Sequence, residues 1–317
     1  MGILDGVKVI DMATLWATPL ASTYLADQGA EVVKVEPPWG EEGRRVHHMA
    51  PVAGGEGRSF QVTARGKRGI AVDITRPEGK EVVYRLVEAS DVLLHNFRLG
   101  VAERLGYDYE TLSRLNPRLI YVQVYPFGPK GPYAARRGYD RLFQSLAGIM
   151  GRRRLPDGTP LGAGIWVADM ATPIAVAYGV ALALFQRERT GRGQKMEASM
   201  LHVALAMQMV DLIRVEREEP LGAGTGDLTQ QAVWSPYRCA DGKWVIITIV
   251  SDKDFQALCR ALGVPHLAED PRFATSKGRA ENSGDLYNLL EGLFTTRPRE
   301  EWLRAFEAED VPGAPVL

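Results

Sequence analysis

Through the first half of the chain, short apolar segments alternate with longer amphipathic ones, and this alternation most limits the possible fold. Residues 7–12 (VKVIDM) read as a strand, and residues 19–28 follow with helical spacing, closed by Gly29. GAEVVKVEPP is a strand stopped by prolines, residues 77–89 form an amphipathic helix, and DVLLHNF and PRLIYVQVYPFG are two further strands. Strands joined by helices imply right-handed crossovers and a mostly parallel sheet. The expected fold class is therefore α/β, with a Rossmann-like large domain.

Residues 138–150 read as a helix, followed by a polar loop and the apolar stretch after GAGIWVADM. TGRGQKMEASM is a turn leading into a strand back to the sheet, with a helix from 201 to about 217 beyond it. The composition then shifts to charge, proline and glycine (EREEPLGAGTGD), the mark of a linker. After it come a hairpin turning at Asp241-Gly242 and helices near 253–262, 280–294 and 299–309. These boundaries give a large domain over 1–217, a linker over 218–227 and a smaller α+β domain over 228–317.

A formal net charge of -1 excludes whole-protein attraction to nucleic acid or to an anionic membrane, so anion binding must be local. Cys239 and Cys259 match no metal spacing, and they suggest a reducing compartment without a disulfide framework. MGILDGVKVIDM lacks a basic run followed by an apolar one, so a cytoplasmic protein is expected. The turn ATLWATP after the first strand has no glycine with which to approach a pyrophosphate, and there is no GxxxxGK[ST] loop. The five histidines show no HExxH spacing, and a GxSxG elbow is missing, so neither a bound metal nor a serine hydrolase is expected. His47-His48 reads as an exposed or ligand-edge pair.

What stands out chemically is Asp169. It opens an alanine-rich helix in which the next charged residue is Arg187. Burying a lone carboxylate there is unfavourable unless hydrogen bonding or chemistry compensates. The stretch 165–185 is long and apolar enough to raise a transmembrane reading, but Asp169, Pro173 and the lack of a second such span favour a core helix and no membrane contact.

VIDMATLWATPLASTYLADQGAEVVKVEPP, then ARGKRGIAVDI, HNFRLGVAERLGYDYETLSRLNPRLIYVQVYPFGPKGPY, GYD, ADMATP and RTGRGQ occur in that order through nearly the whole chain. In this the chain resembles the family III CoA-transferases of the CaiB/BaiF superfamily, which also includes the α-methylacyl-CoA racemases. The resemblance implies a mechanism in which Asp169 attacks an acyl-CoA thioester, forms a mixed anhydride and then an aspartyl-CoA thioester, and passes CoA to a carboxylic acid. Placement at a helix N-terminus is expected to favour the charged carboxylate. CoA and acyl-CoA are then substrates, with no prosthetic group.

The family's CoA-contacting segments match Lys67, Asn96, Phe97, Arg98, Arg104, Arg137, Tyr139 and Asp140 in this chain. The cations suit phosphates, and Phe97 or Tyr139 suits the apolar slot for adenine and pantetheine. Arg152, Arg153 and Arg154 are expected to form a solvated loop. The resemblance also implies an interlocked homodimer. Family members continue past the position of GAPVL with a segment that returns to the first domain, which leaves a truncated, non-catalytic CoA-binding homologue as one alternative.

Two departures bear on substrate and reaction. Members that use formyl-CoA and oxalate have glutamine at the position of Trp16 and a longer glycine run where this chain has GAGTGD, so a larger or more apolar acyl group is expected. Racemases place a histidine before the aspartate of the GYD-like segment, where this chain has Tyr139, a poor base at neutral pH. Transfer is thus favoured over the racemase alternative.

Overall fold

The computed structural model describes residues 2–45, 57–155, 157–209 and 232–317. The chain divides into two compact units, one of residues 1–151 and 155–213, the other of residues 152–154 and 214–317. The linker expected at 218–227, the glycine run within it and His47-His48 lie outside the described residues.

The first unit runs β1 (Lys8–Asp11), α1 (Ala17–Asp27), β2 (Glu31–Glu36), α2 (Arg58–Ala64), β3 (Lys67–Ala71), α3 (Pro77–Glu88) and β4 (Val92–His95). It continues through α4 (Val101–Leu105), α5 (Tyr109–Leu115), β5 (Ile120–Tyr125), α6 (Asp140–Leu146), α7 (Val167–Thr190), β6 (Gln194–Ser199) and α8 (Met200–Ala206). The six strands form one parallel sheet in the order β3-β2-β1-β4-β5-β6, the doubly wound arrangement. Its central strands are apolar on both faces. Val9, Val92, Leu94, Ile120 and Val122 pack with Leu25 of α1 and Val176 and Val180 of α7, while Ile10, Leu93 and Tyr121 pack with Val83 and Val87 of α3 and Leu112 of α5. This two-sided burial is why these strands read as nearly continuous apolar runs.

Local chemistry sets several boundaries. Gly191 closes α7 with φ 71°, in the left-handed region, and a Cβ on Gly193 would lie 2.1 Å from the Leu119 carbonyl oxygen. TGRGQ is therefore a turn pressed against the chain entering β5. The helix expected over 138–150 is confined to Asp140–Leu146, because Ala147 and Gly148 close it, Gly148 with φ 82°. Strand β3 was hidden from pattern reading because KRGIA is an edge strand without an apolar run.

α7 departs from the core helix expected. Ala168, Thr172, Val176, Val180 and Ala183 are buried, but Ile174, Tyr178, Leu182 and Phe185 lie open on the other side. By length and composition α7 is the one described helix that could cross a membrane. In this fold its buried side packs on α1 and the sheet, and Arg187 near its end pairs with Asp91 at 2.8 Å.

The second unit contains β7 (Pro236–Arg238), β8 (Trp244–Ile247), α9 (Asp252–Ala261), α10 (Ser276–Glu281), α11 (Ser283–Phe294), α12 (Arg299–Glu309) and β9 (Gly313–Val316). Its three strands are antiparallel, with β8 central. The single helix expected over 280–294 is two helices broken at Asn282. Tyr237, Phe294, Trp302 and Phe306 form an aromatic core, with the Tyr237 and Phe294 rings stacked at 4.7 Å.

Candidate active site

In a doubly wound sheet the loops after the first and fourth strands here diverge in opposite directions, leaving a crevice at the strands' carboxyl ends. A cavity of about 1020 Å³ lies there, bordered by Thr14, Leu15 and Trp16 after β1, by Asn96, Phe97 and Arg98 after β4, and by Asp169 of α7. Every described residue lining it belongs to the first unit.

Asp169 is the third residue of α7. Two N–H groups in the first turn of this helix are occupied by another carboxylate, since Asp140 Oδ2 accepts from Ala168 N at 2.8 Å and from Asp169 N at 3.1 Å. Gln144 in turn donates to Asp140 Oδ1 and to the Ile165 carbonyl, and its own carbonyl accepts from Ala163 N. The expectation that the helix terminus favours the charged form of Asp169 is overturned. Burial first, and the Asp140 charge second, push its carboxyl up to about 7. Asp140, an expected CoA contact, borders the cavity but is only 2% exposed, and its oxygens hold the helix that carries Asp169.

The turn after β1 is held from below by buried charges. Lys67 reaches Asp11 at 2.8 Å, Ser22 Oγ at 2.8 Å and the Pro19 carbonyl at 2.6 Å, while Lys34 lies 3.8 Å from Asp11 and donates to the Ala13 carbonyl. Burial alone would raise the Asp11 carboxyl, but the two ammonium groups, with hydrogen bonds from Lys67 and Ser22, lower it to about 2. Lys67 therefore does not stand in the cavity as a phosphate ligand. Its ammonium is closed off with Asp11, because β3 and β1 flank β2 and bring both residues beneath the turn.

Leu15 has φ 68°, a left-handed conformation uncommon for a leucine. Its N–H donates to Glu41 Oε2 at 2.9 Å, and Gly43 N donates to the same oxygen at 3.1 Å. Glu41 is buried, its other oxygen meets no donor among the described residues, and burial raises its carboxyl despite Lys34. Asn96 clasps the same turn: Thr14 N donates to its Oδ1 at 3.0 Å, and its Nδ2 donates to the Thr14 carbonyl at 2.9 Å. Its amide thus joins the two diverging loops.

Phe97 and Arg98 border the cavity, as do Arg137 and Tyr139, the last 56% exposed. Arg104, in α4, is exposed and does not line the cavity. Behind Phe97, the fully buried His95 donates or accepts at Tyr121 Oη over 2.6 Å and accepts from Phe97 N. Burial, with a smaller contribution from Lys195, lowers this imidazole to about 3, so it is neutral. Trp16 is 9% exposed and meets Trp166 edge-on, with ring centroids 5.3 Å apart.

Glu41, Arg141 and Trp166 also line the cavity and were missed in the sequence. Only Trp166 carried a signal, as an aromatic residue three positions before the lone acid. Among the described residues no group of three or more His, Cys, Asp or Glu side chains could hold a metal ion.

The model of CoA-transferase family III matches residues 4–317. The chain belongs to that family. It is 35% identical to a succinate–glutarate CoA-transferase of Agrobacterium fabrum over 99% of this chain and 80% of that protein. Among solved structures, Rv3272 of Mycobacterium tuberculosis is similar with a TM-score of 0.87 and 31% identity, covering 100% of this chain and 83% of its own. A CAIB/BAIF family protein of Brucella suis follows at 0.81 and 34%, covering 100% and 84%. As a family III CoA-transferase the protein handles CoA thioesters as substrates.

Proposed function

We propose that this family III CoA-transferase moves CoA from an acyl-CoA thioester to a carboxylic acid through covalent intermediates on Asp169. The observation that carries the reading is a carboxylate with a raised pKa at the mouth of the strand crevice, on a helix whose terminal N–H groups serve another acid. A weakly solvated carboxylate is a better nucleophile than one bathed in water. Asp169 attacks the thioester carbonyl, the C–S bond breaks and CoA thiolate leaves a mixed anhydride. The thiolate attacks the aspartyl carbonyl and releases the first acid. The acceptor carboxylate then attacks the aspartyl-CoA thioester, and the returning thiolate takes the new acyl group from the second anhydride.

Arg98 and Arg137 are the proposed phosphate contacts of CoA, and Phe97 and Tyr139 line its slot. Asn96 shapes that slot through Thr14. The Trp16–Trp166 pair supports an acyl group larger or more apolar than formyl or oxalyl. The racemase alternative has less support, since no histidine is among the described residues lining the cavity. Two buried free cysteines suit a reducing, cytoplasmic setting, and the open side of α7 suits a homodimer.

Mass spectrometry after incubation with a panel of acyl-CoA thioesters and a borohydride or hydroxylamine quench tests the mechanism. The expected result is an adduct on Asp169. Exchange of the α-proton in the same samples with no adduct would replace transfer by racemisation.

A further inference from the structure

Arg141, in the first turn of α6, is set apart from the cations on the loops that serve CoA in the reading above. Its guanidinium lies over the Trp166 ring, 5.4 Å from the centroid, and Trp166 is the residue from which α7 starts toward Asp169. The loop leading into α7 makes room for it: a Cβ on Gly162 would fall 1.6 Å from Arg141 Nη1 and 2.9 Å from Cζ. Glycine at 162 is thus what lets the guanidinium lie against the backbone. Arg141 lines the cavity that holds Asp169, and among the described residues it forms no ion pair. The residue before it, Asp140, is bonded to the Asp169 N–H, so both side chains of this turn face the opening of α7.

A guanidinium held between an indole and a glycine backbone keeps its fork of N–H donors in a limited set of directions, which suits a carboxylate. We propose that Arg141 anchors the remote carboxylate of a dicarboxylic substrate whose other carboxyl group reacts at Asp169. The methylenes between the two acid groups then lie along the Trp16–Trp166 pair, which reconciles an apolar floor with a charged end. This deepens the transferase reading and rests on it for the role of Asp169.

Calorimetric titration of the whole chain with succinate and glutarate, against butyrate and valerate, tests the site without requiring turnover. The wild-type protein is expected to bind the dicarboxylates more tightly than monocarboxylates of equal length. R141M should remove that preference, a loss of about tenfold or more, and leave CoA affinity unchanged. R141K, which keeps the charge without the fork, should keep a weakened preference, so the site remains tested if R141M fails to fold. No preference in the wild type, a preference that survives in R141M, or a fall in CoA affinity would overturn the proposal, the last by making Arg141 a phosphate contact. An Arg141-dependent preference without any adduct on Asp169 would instead sink the covalent mechanism and leave the carboxylate site standing.

Discussion

Asp169 is held at odds with its own charge, and replacing it should separate stability from activity. Its carboxyl titrates near 4 in the unfolded chain and near 7 in the folded one. Between those values the folded state binds the extra proton, so its stability falls as pH rises, and the whole penalty is present above 7. Asp169→Asn should abolish the acyl-CoA adduct yet raise stability at pH 8 by about 1–3 kcal/mol, with no gain at pH 4, read by urea unfolding at both pH values. In the wild type, the rate of adduct formation should rise with pH through about 7. Asp140→Asn removes the neighbouring charge and keeps an acceptor for the helix, so that inflection should move down while staying above 4, because burial is the larger cause.

The turn between β1 and α1 is the element on which the cavity depends. It carries a left-handed leucine, and its backbone is bonded to Glu41 and Asn96 from two other loops. Glu41→Ala leaves the Leu15 N–H without its buried acceptor, a loss of about 1–3 kcal/mol, and loosens the setting of Trp16, so KM for acyl-CoA should rise. Glu41→Gln keeps the acceptor and avoids burying a charge. It should therefore match wild-type stability and KM; equal damage in both variants would show that the charge of Glu41, not its bond to Leu15, holds the turn.

At the scale of the whole molecule, Asp11, Lys34 and Lys67 tie three adjacent strands of the first unit through one buried cluster. Asp11 titrates near 2 when folded, so its contribution of about 2 kcal/mol is complete above pH 4 and is lost as pH falls toward 2. Lys67→Met leaves Asp11 short of a partner and should cost about 3–5 kcal/mol at neutral pH, with a shallower acid transition in denaturant titrations. The open stripe of Ile174, Tyr178, Leu182 and Phe185 makes a separate prediction. If a second copy covers it, Ile174→Glu with Phe185→Glu should shift the protein from dimer to monomer in sedimentation; an unchanged dimer would place the interface elsewhere.

The sequence by itself determined the parallel α/β sheet, the hairpin of the smaller unit and the prominence of Asp169. These rest on apolar periodicity, on turn residues such as Gly191 and Asp241-Gly242, and on a lone acid in an apolar helix, all local along the chain. Only the tertiary structure decided that Lys67 is sealed against Asp11, that Asp140 holds the Asp169 helix, that α7 buries one side alone, and that Glu41, Arg141 and Trp166 belong to the cavity. Glu41 bonds to Leu15, 26 positions away, and Lys67 to Asp11, 56 positions away. Such pairings follow from the order in which strands lie side by side, and neither residue type nor spacing along the chain encodes that order.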